Sequence, residues 1–157
     1  MKITVLTVGK IKEKFYTAAI DEYSKRLSRY CKLNIIQVAD EKTIENSTEK
    51  EMDIIKAQEG ERILKNIPDD AFVITLEING KMLDSEELAD KINKLGIMGE
   101  SHIVFVIGGS LGLHQDVSKR ANFKLSFSKM TFPHQLMRVI LLEQIYRSYR
   151  IINNEPY

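Results

Sequence analysis

The segments HIVFVIGGSLG (residues 102–112) and KLSFSKMTFPHQ (residues 124–135) decide the fold of this chain. Each begins as a short apolar strand and continues into a loop, the first rich in glycine and the second in hydroxyl and aromatic groups. The second loop leads directly into an apolar segment with helical spacing. Loops that follow strands and open a helix can bind a small polar cofactor through main-chain groups. We therefore expect the functional site between His102 and Arg150.

Strands and helices alternate along the rest of the sequence as well. Strands are predicted at residues 2–8, 33–38, 71–78, 102–107 and 124–128, and helices at residues 13–30, 48–66, 85–95, 115–122 and 133–152. The pair Asn79-Gly80 is a typical turn sequence and is expected to end the third strand. The strand at 102–107 is apolar on both faces, which favours a central parallel strand. The pattern predicts one α/β domain over residues 1–157, with a mostly parallel sheet flanked by helices.

Helical spacing also assigns side chains to the apolar faces of the first two helices. Phe15 and Leu27 belong to that face in the first helix, and Ile54 and Ile63 belong to it in the second. Thr48, with a glutamate three residues later, has the pattern of a capping box at the start of the second helix.

Composition limits the classes of function. The chain has 157 residues, 43% of them hydrophobic and 29% charged, as in a folded globular protein. A net charge of +1 provides no strong field toward nucleic acid or membrane. The single cysteine, Cys31, excludes an intrachain disulfide and a cysteine metal cluster. No segment approaches the roughly 20 apolar residues that cross a bilayer, so a reducing cytoplasm is the expected location.

The last predicted helix is apolar around most of its circumference in its first half. The residues responsible are Leu136, Met137, Val139, Ile140, Leu141, Leu142, Ile145 and Tyr146. A helix of this kind is buried on more than one side. In a protein of this size, another copy of the chain is expected to cover the second apolar side of the helix. This predicts a homodimer through this helix. A central helix packed within the monomer is the alternative.

The glycine loop matches neither common nucleotide-binding motif. Gly108, Gly109 and Gly112 do not fit the G-x-G-x-x-G spacing of the dinucleotide fingerprint, and no acidic residue follows at the required distance. No G-K-[ST] sequence follows either, which excludes a P-loop. A tight turn without function is therefore the alternative to a binding loop here.

The second loop favours a binding site more strongly. Ser126, Ser128 and Thr131 supply hydroxyl groups, while Phe127 and Phe132 supply aromatic faces. An adenine ring fits such surroundings, held by main-chain hydrogen bonds between apolar walls. The alternative is a simple helix cap by Thr131, with a proline in the first turn of the helix.

His134 and Arg138 are four residues apart and share a face near the start of the last helix. Positive charge there opposes the helix macrodipole, and a nearby anion would offset that cost. The pair is thus a candidate site for a phosphate or a developing substrate anion, with a surface pair or an internal salt bridge as the alternative. His102 and His114 lack the spacing of metal ligands and are expected to be structural, so no metal site is predicted.

Five segments together resemble one family. They are MKITVLTVGKIKEKF, VITLEINGK, VFVIGGSLGL, LSFSKMTFPHQLMRVILLEQIYR and the ending NEPY. In this order they are similar to the ribosomal RNA large subunit methyltransferase H family of the SPOUT class. The resemblance spans the whole chain, although members of that family generally continue past the Pro-Tyr ending in a short basic tail that includes a histidine.

The resemblance implies a homodimer with a deep trefoil knot in the C-terminal part, at about residues 70–157. It implies S-adenosylmethionine as cofactor and methyl transfer to ring nitrogen-3 of a pseudouridine in helix 69 of 23S ribosomal RNA. The cofactor positions of the family fall on Leu76, Gly108, Phe127, Ser128, Lys129, Met130, Thr131 and Phe132. These positions agree with the loops selected from the residues alone.

Such a transfer needs a collinear donor and acceptor and the removal of the imide proton, for which His134 and Arg138 are the candidate catalytic residues. The near-zero net charge favours an assembled ribosome over free RNA as substrate. The alternative is a non-catalytic RNA-binding module that associates with the ribosome and keeps a vestigial cofactor pocket. A nucleotide-dependent oxidoreductase is disfavoured by the failed glycine fingerprint.

Overall fold

The computed structural model describes residues 1–157 and contains five strands and five helices. The strands are β1 (Lys2–Val8), β2 (Lys32–Val38), β3 (Phe72–Met82), β4 (His102–Ile107) and β5 (Phe123–Ser126). The helices are α1 (Lys14–Leu27), α2 (Glu49–Lys65), α3 (Ser85–Ile97), α4 (Gln115–Arg120) and α5 (His134–Ile152). All strand pairs are parallel in the order β2-β1-β4-β3-β5, which confirms the predicted α/β class.

Strand β4 lies at the centre of the sheet, as predicted from its two apolar faces. Every residue from Ile103 to Ile107 is buried, because helices cover both sides. Helices α1, α3 and α5 supply side chains to the core on one face, and α2 and α4 supply them to the core on the other. No helix of the structure has both the length and the apolar character that crossing a membrane requires.

The strand order brings one strand segment and two loops to one place. Strand β3 lies between β4 and β5, so the carboxyl ends of these three neighbours share one edge of the sheet. In open parallel sheets, ligands bind beyond the carboxyl ends of strands where the strand order reverses. The middle of β3 and the loops after β4 and β5 meet at such a place.

The predicted turn at Asn79-Gly80 is wrong. Strand β3 continues to Met82, and both Leu76 and Lys81 stand opposite Leu125 of β5. The intervening residues form an irregularity within the strand, and neither residue of the pair has positive φ. Pairing with β5 on both sides of this irregularity therefore keeps the Asn-Gly sequence within the strand, against its local turn preference.

Helix α1 is shorter than predicted: it ends at Leu27, and a turn follows. Leu27 is fully buried, but Phe15 is 66% exposed and Ile54 of α2 is also exposed. Spacing identifies the apolar face of a helix, but it does not tell how much of that face a neighbour covers. The predicted capping box of α2 is confirmed, since the Thr48 hydroxyl accepts the Glu51 N–H at 3.1 Å.

Helix α5 packs against α1 and α3 along a stripe of buried residues, as the central-helix alternative requires. Leu141, Leu142, Ile145 and Tyr149 form this stripe. Leu136, Val139 and Ile140 of the same helix remain half-buried within the single chain. The homodimer stays a prediction, and these half-buried residues are the part of α5 that a second copy would cover.

Candidate functional site

A cavity of about 420 Å³ lies at the carboxyl ends of β4 and β5, beside the middle of β3. Its lining comes from residues 76–78 within β3, from residues 107–110 and 112–113 at the end of β4 and in the loop that follows, and from residues 125–128, 130–134 and 137, which run from the end of β5 into α5. This volume falls within the range of pockets that hold small ligands and cofactors. The two loops that the sequence singled out therefore form its walls.

The structure brings together seven of the eight predicted cofactor positions around this cavity. These seven are Leu76, Gly108, Phe127, Ser128, Met130, Thr131 and Phe132. Lys129 is the exception, because it lies with Ile78 and Met82 around a neighbouring depression. Whether the seven bind a cofactor stays a prediction.

The glycine loop closes tightly on itself beside the cavity. The Gly112 N–H donates to the Gly109 carbonyl at 3.0 Å, and Gly112 has a φ of 86°, which favours glycine. A Cβ added at Gly108 would come within 2.9 Å of the Gly112 carbonyl carbon. Glycine is thus required at Gly108 by the close approach of backbone to backbone.

The loop before α5 is fixed by its own hydroxyl groups. The Ser126 hydroxyl donates to the Ser128 carbonyl at 3.0 Å, and the Ser128 hydroxyl accepts the Met130 N–H at 3.0 Å. The alternative of a cap by Thr131 is wrong: Pro133 is the N-cap residue of α5, and no side chain caps the helix. The first turn of α5 therefore has no side-chain acceptor for its N–H groups and begins at the wall of the cavity.

His134 and Arg138 take different positions, although they share one face of α5. His134 lines the cavity, whereas Arg138 is absent from the lining and is only 2% exposed. One Arg138 nitrogen, Nη2, donates to the carbonyls of Val8 at 2.7 Å and Gly9 at 3.0 Å. Its Nε and Nη1 have no hydrogen-bond partner. The salt-bridge alternative is wrong, since neither residue forms an ion pair.

The surroundings of His134 lower the pKa of its imidazole below the ordinary value of 6.5. Burial is the main cause, the nearby positive charge of Arg138 is the second, and Asp40 opposes both. The imidazole is therefore uncharged at neutral pH and carries one ring nitrogen that can accept a proton.

We expect Arg138→Met to raise the pKa of His134 toward 6.5, because the substitution removes the positive charge and keeps most of the burial. NMR titration of the imidazole signals measures this directly. His102, whose pKa is lowered by burial and by Lys2, serves as the internal control and is expected not to change. A His134 pKa above 6.5 in the unsubstituted protein would contradict the assignment.

The sequence and structure comparisons agree on one family. The model of a family described as predicted SPOUT methyltransferase matches residues 1–157. The chain belongs to the SPOUT methyltransferase family. It is 63% identical to the ribosomal RNA large subunit methyltransferase H of Clostridium novyi and 64% identical to that of Clostridium tetani, over all of this chain and 99% of each relative. The resemblance to the methyltransferase H family is therefore confirmed.

A solved structure from Haemophilus influenzae Rd KW20, of a probable methylase family protein, shares the fold. Its TM-score is 0.53 at 13% identity, over 98% of this chain and 67% of that one. At this level of identity the likeness concerns the fold alone.

Within this SPOUT fold, Glu77 is the site residue that sequence reasoning missed. It lines the cavity directly after Leu76, and its carboxylate accepts the Thr75 hydroxyl at 2.6 Å and the Ser118 hydroxyl at 2.8 Å. In the sequence, Glu77 resembles any charged residue in a strand where apolar and polar side chains alternate. Its position near the carboxyl end of the strand predicted at residues 71–78 is the signal that could have identified it.

Glu59 is a second carboxylate near the SPOUT site, and it lies behind the glycine loop. It is 5% exposed and accepts the Glu41 N–H at 3.0 Å. A Cβ added at Gly109 would come within 3.1 Å of its Oε1. Burial raises the pKa of this carboxyl above its usual range, with the charge of Asp40 adding to the effect and the Glu41 hydrogen bond opposing it. Glu59 thus lies close behind the loop, outside the cavity lining.

The remaining histidines have structural contacts, as predicted. His102 Nε2 and the Thr4 hydroxyl form a hydrogen bond of 2.8 Å. His114 caps α4, where its Nδ1 accepts the Asp116 N–H at 3.2 Å. The histidine, cysteine and carboxylate side chains form no group of three that could hold a metal ion.

Proposed function

We propose that this SPOUT protein transfers a methyl group from S-adenosylmethionine to ring nitrogen-3 of a pseudouridine in helix 69 of 23S ribosomal RNA, on the assembled ribosome. The relatives are named as methyltransferases of large-subunit ribosomal RNA. The observation that carries the proposal is the cavity at the carboxyl edge of the sheet. Seven of the positions expected to bind the cofactor surround it. A ribosomal substrate implies activity in the cytoplasm.

The residues around the cavity fit this cofactor. Leu76 and Phe127 supply apolar surface for an adenine ring, and the hydroxyls of Ser128 and Thr131 supply polar groups. The closed loop at Gly108 lets main-chain atoms approach a ligand without an intervening side chain. S-adenosylmethionine would supply the methyl group as an electrophile on its sulfonium.

The chain itself would position the reactants and accept a proton. The loops orient the donor against the acceptor nitrogen, which accounts for much of the barrier lowering in a direct displacement. The uncharged imidazole of His134 is the candidate acceptor for the imide proton. The uncapped start of α5 and the buried cation of Arg138 would stabilise the anion that forms.

The proposal includes one SPOUT domain over residues 1–157, with a trefoil knot at about residues 70–157, and a homodimer. The half-buried Leu136, Val139 and Ile140 of α5 support the dimer, because a second copy would remove their remaining apolar surface from water.

The test incubates ribosomes that lack the modification with the protein and S-adenosylmethionine, followed by mass analysis of the ribosomal RNA. We expect one added methyl on a pseudouridine of helix 69 and far less transfer to a free hairpin of the same sequence. Equal transfer to both would contradict recognition of the assembled ribosome. Ribosome binding without any transfer would instead favour the non-catalytic module.

In the same assay, His134→Gln is expected to lower turnover by about ten-fold or more, because it removes the proton acceptor. Cofactor affinity is expected to stay nearly unchanged, since His134 is one of many residues that line the cavity and the others remain in place. Isothermal titration measures the affinity and separates the two effects. Unchanged turnover would remove His134 from the mechanism.

A further inference from the structure

The cavity has an uneven distribution of charge. Among its lining residues only Glu77 and His134 have titratable side chains. His134 is uncharged at neutral pH, because burial and Arg138 both lower its pKa. The carboxylate of Glu77 is therefore the one formal charge that the lining contributes.

This carboxylate is held in place by two neighbours outside the lining. The Thr75 hydroxyl donates to Oε2 at 2.6 Å, and the Ser118 hydroxyl donates to Oε1 at 2.8 Å and Oε2 at 3.0 Å. Thr75 is fully buried in β3, so this support is rigid. No ion pair neutralises Glu77, in contrast to Glu143 and Glu155, which pair with arginines.

The other charges near the cavity do not replace that of Glu77. Lys129 and Arg138 stand outside the lining, and both would repel a cationic ligand. Glu59 is behind Gly109, where it accepts the Glu41 N–H. Glu77 is thus the lining group that favours positive charge in the cavity.

We propose that Glu77 is a specificity-determining residue that makes this cavity prefer the positively charged methyl donor over its uncharged product. The inference rests on the proposed function, because it takes S-adenosylmethionine as the ligand. The donor has a sulfonium, an ammonium and a carboxylate, and so a net charge of +1 in solution. S-adenosylhomocysteine has lost the sulfonium charge with the methyl group and is neutral overall. A fixed carboxylate in a partly desolvated cavity attracts the donor more strongly, which aids exchange of product for donor.

The test measures the dissociation constants of S-adenosylmethionine, S-adenosylhomocysteine and sinefungin by isothermal titration. Sinefungin carries a protonated amine near the position of the sulfonium. We expect Glu77→Gln to weaken binding of the two cationic ligands by about ten-fold and that of S-adenosylhomocysteine by less than about two-fold. Glu86→Gln, at an exposed position on α3, is the matched control and is expected to change none of the three constants.

A second variant separates charge from position. Ser118→Ala removes one hydrogen bond to the same carboxylate and keeps its charge, so the preference for cationic ligands is expected to persist. The unsubstituted protein provides a readout that needs no variant, since it should bind sinefungin more tightly than S-adenosylhomocysteine.

The outcomes distinguish this inference from the proposed function. If the unsubstituted protein binds none of the three ligands, the cofactor assignment fails and the inference fails with it. If it binds them but Glu77→Gln weakens all three equally, or if sinefungin binds no better than the product, the inference alone is overturned.

Discussion

Gly108→Ala is expected to weaken S-adenosylmethionine binding by about 100-fold, because the glycine loop has no room for a side chain. The added Cβ would lie 2.9 Å from the carbonyl carbon of Gly112 and 3.1 Å from its oxygen. Both atoms belong to the backbone, so relief requires the loop to open beside the cavity. Overpacking of this kind costs roughly 1–3 kcal/mol, and the upper value corresponds to about two decades in affinity.

Isothermal titration with S-adenosylmethionine measures this loss, and circular dichroism tests whether the variant keeps its fold. Gly96→Ala is the matched control, because a Cβ there would meet only the flexible end of Met1, at 3.5 Å. This glycine lies on α3, away from the cavity. Affinity within about two-fold of the unsubstituted protein for Gly108→Ala would show that the loop does not hold the cofactor.

Gly80→Ala is expected to lower the free energy of unfolding by about 1–3 kcal/mol. A Cβ at this position would come within 2.7 Å of the Lys124 carbonyl oxygen and within 2.9 Å of the Leu125 carbonyl carbon. These atoms form the backbone of β5, which pairs with β3 at Leu125 and Ser126. Strands β3 and β5 must move apart to admit the methyl group of alanine. This movement strains the main-chain hydrogen bonds between the two strands.

Urea denaturation measures the effect as a shift of the midpoint at constant slope. Gly96→Ala again serves as control and is expected to be neutral or to stabilise the protein by up to about 1 kcal/mol, because alanine favours a helix. A midpoint for Gly80→Ala equal to that of the unsubstituted protein would contradict the close approach of β3 and β5.

The two loops of the site could be selected from the sequence, because loops that only connect a strand to a helix rarely combine so many glycine, hydroxyl and aromatic residues. Gly108 and the hydroxyl-rich residues around Ser128 were identified in this way, and both segments line the cavity. Glu77 was missed, because VITLEINGK indicates a position near the end of the predicted strand but does not distinguish a glutamate at a cavity from one facing solvent. His134 and Arg138 could be assigned to one helical face, but their separation into a cavity residue and a buried residue depends on β1, which lies far from them in sequence.

The sequence by itself determined the alternation of strands and helices, the central position of residues 102–107 and the two loops of the site. These features depend on periodicity and on local turn chemistry, which involve neighbours along the chain. Only the tertiary structure decided that β3 continues past Asn79-Gly80, that Arg138 is buried against β1 and that Glu77 lines the cavity. Each of these depends on contacts between segments distant in sequence, and the free energy of such contacts outweighs local preference.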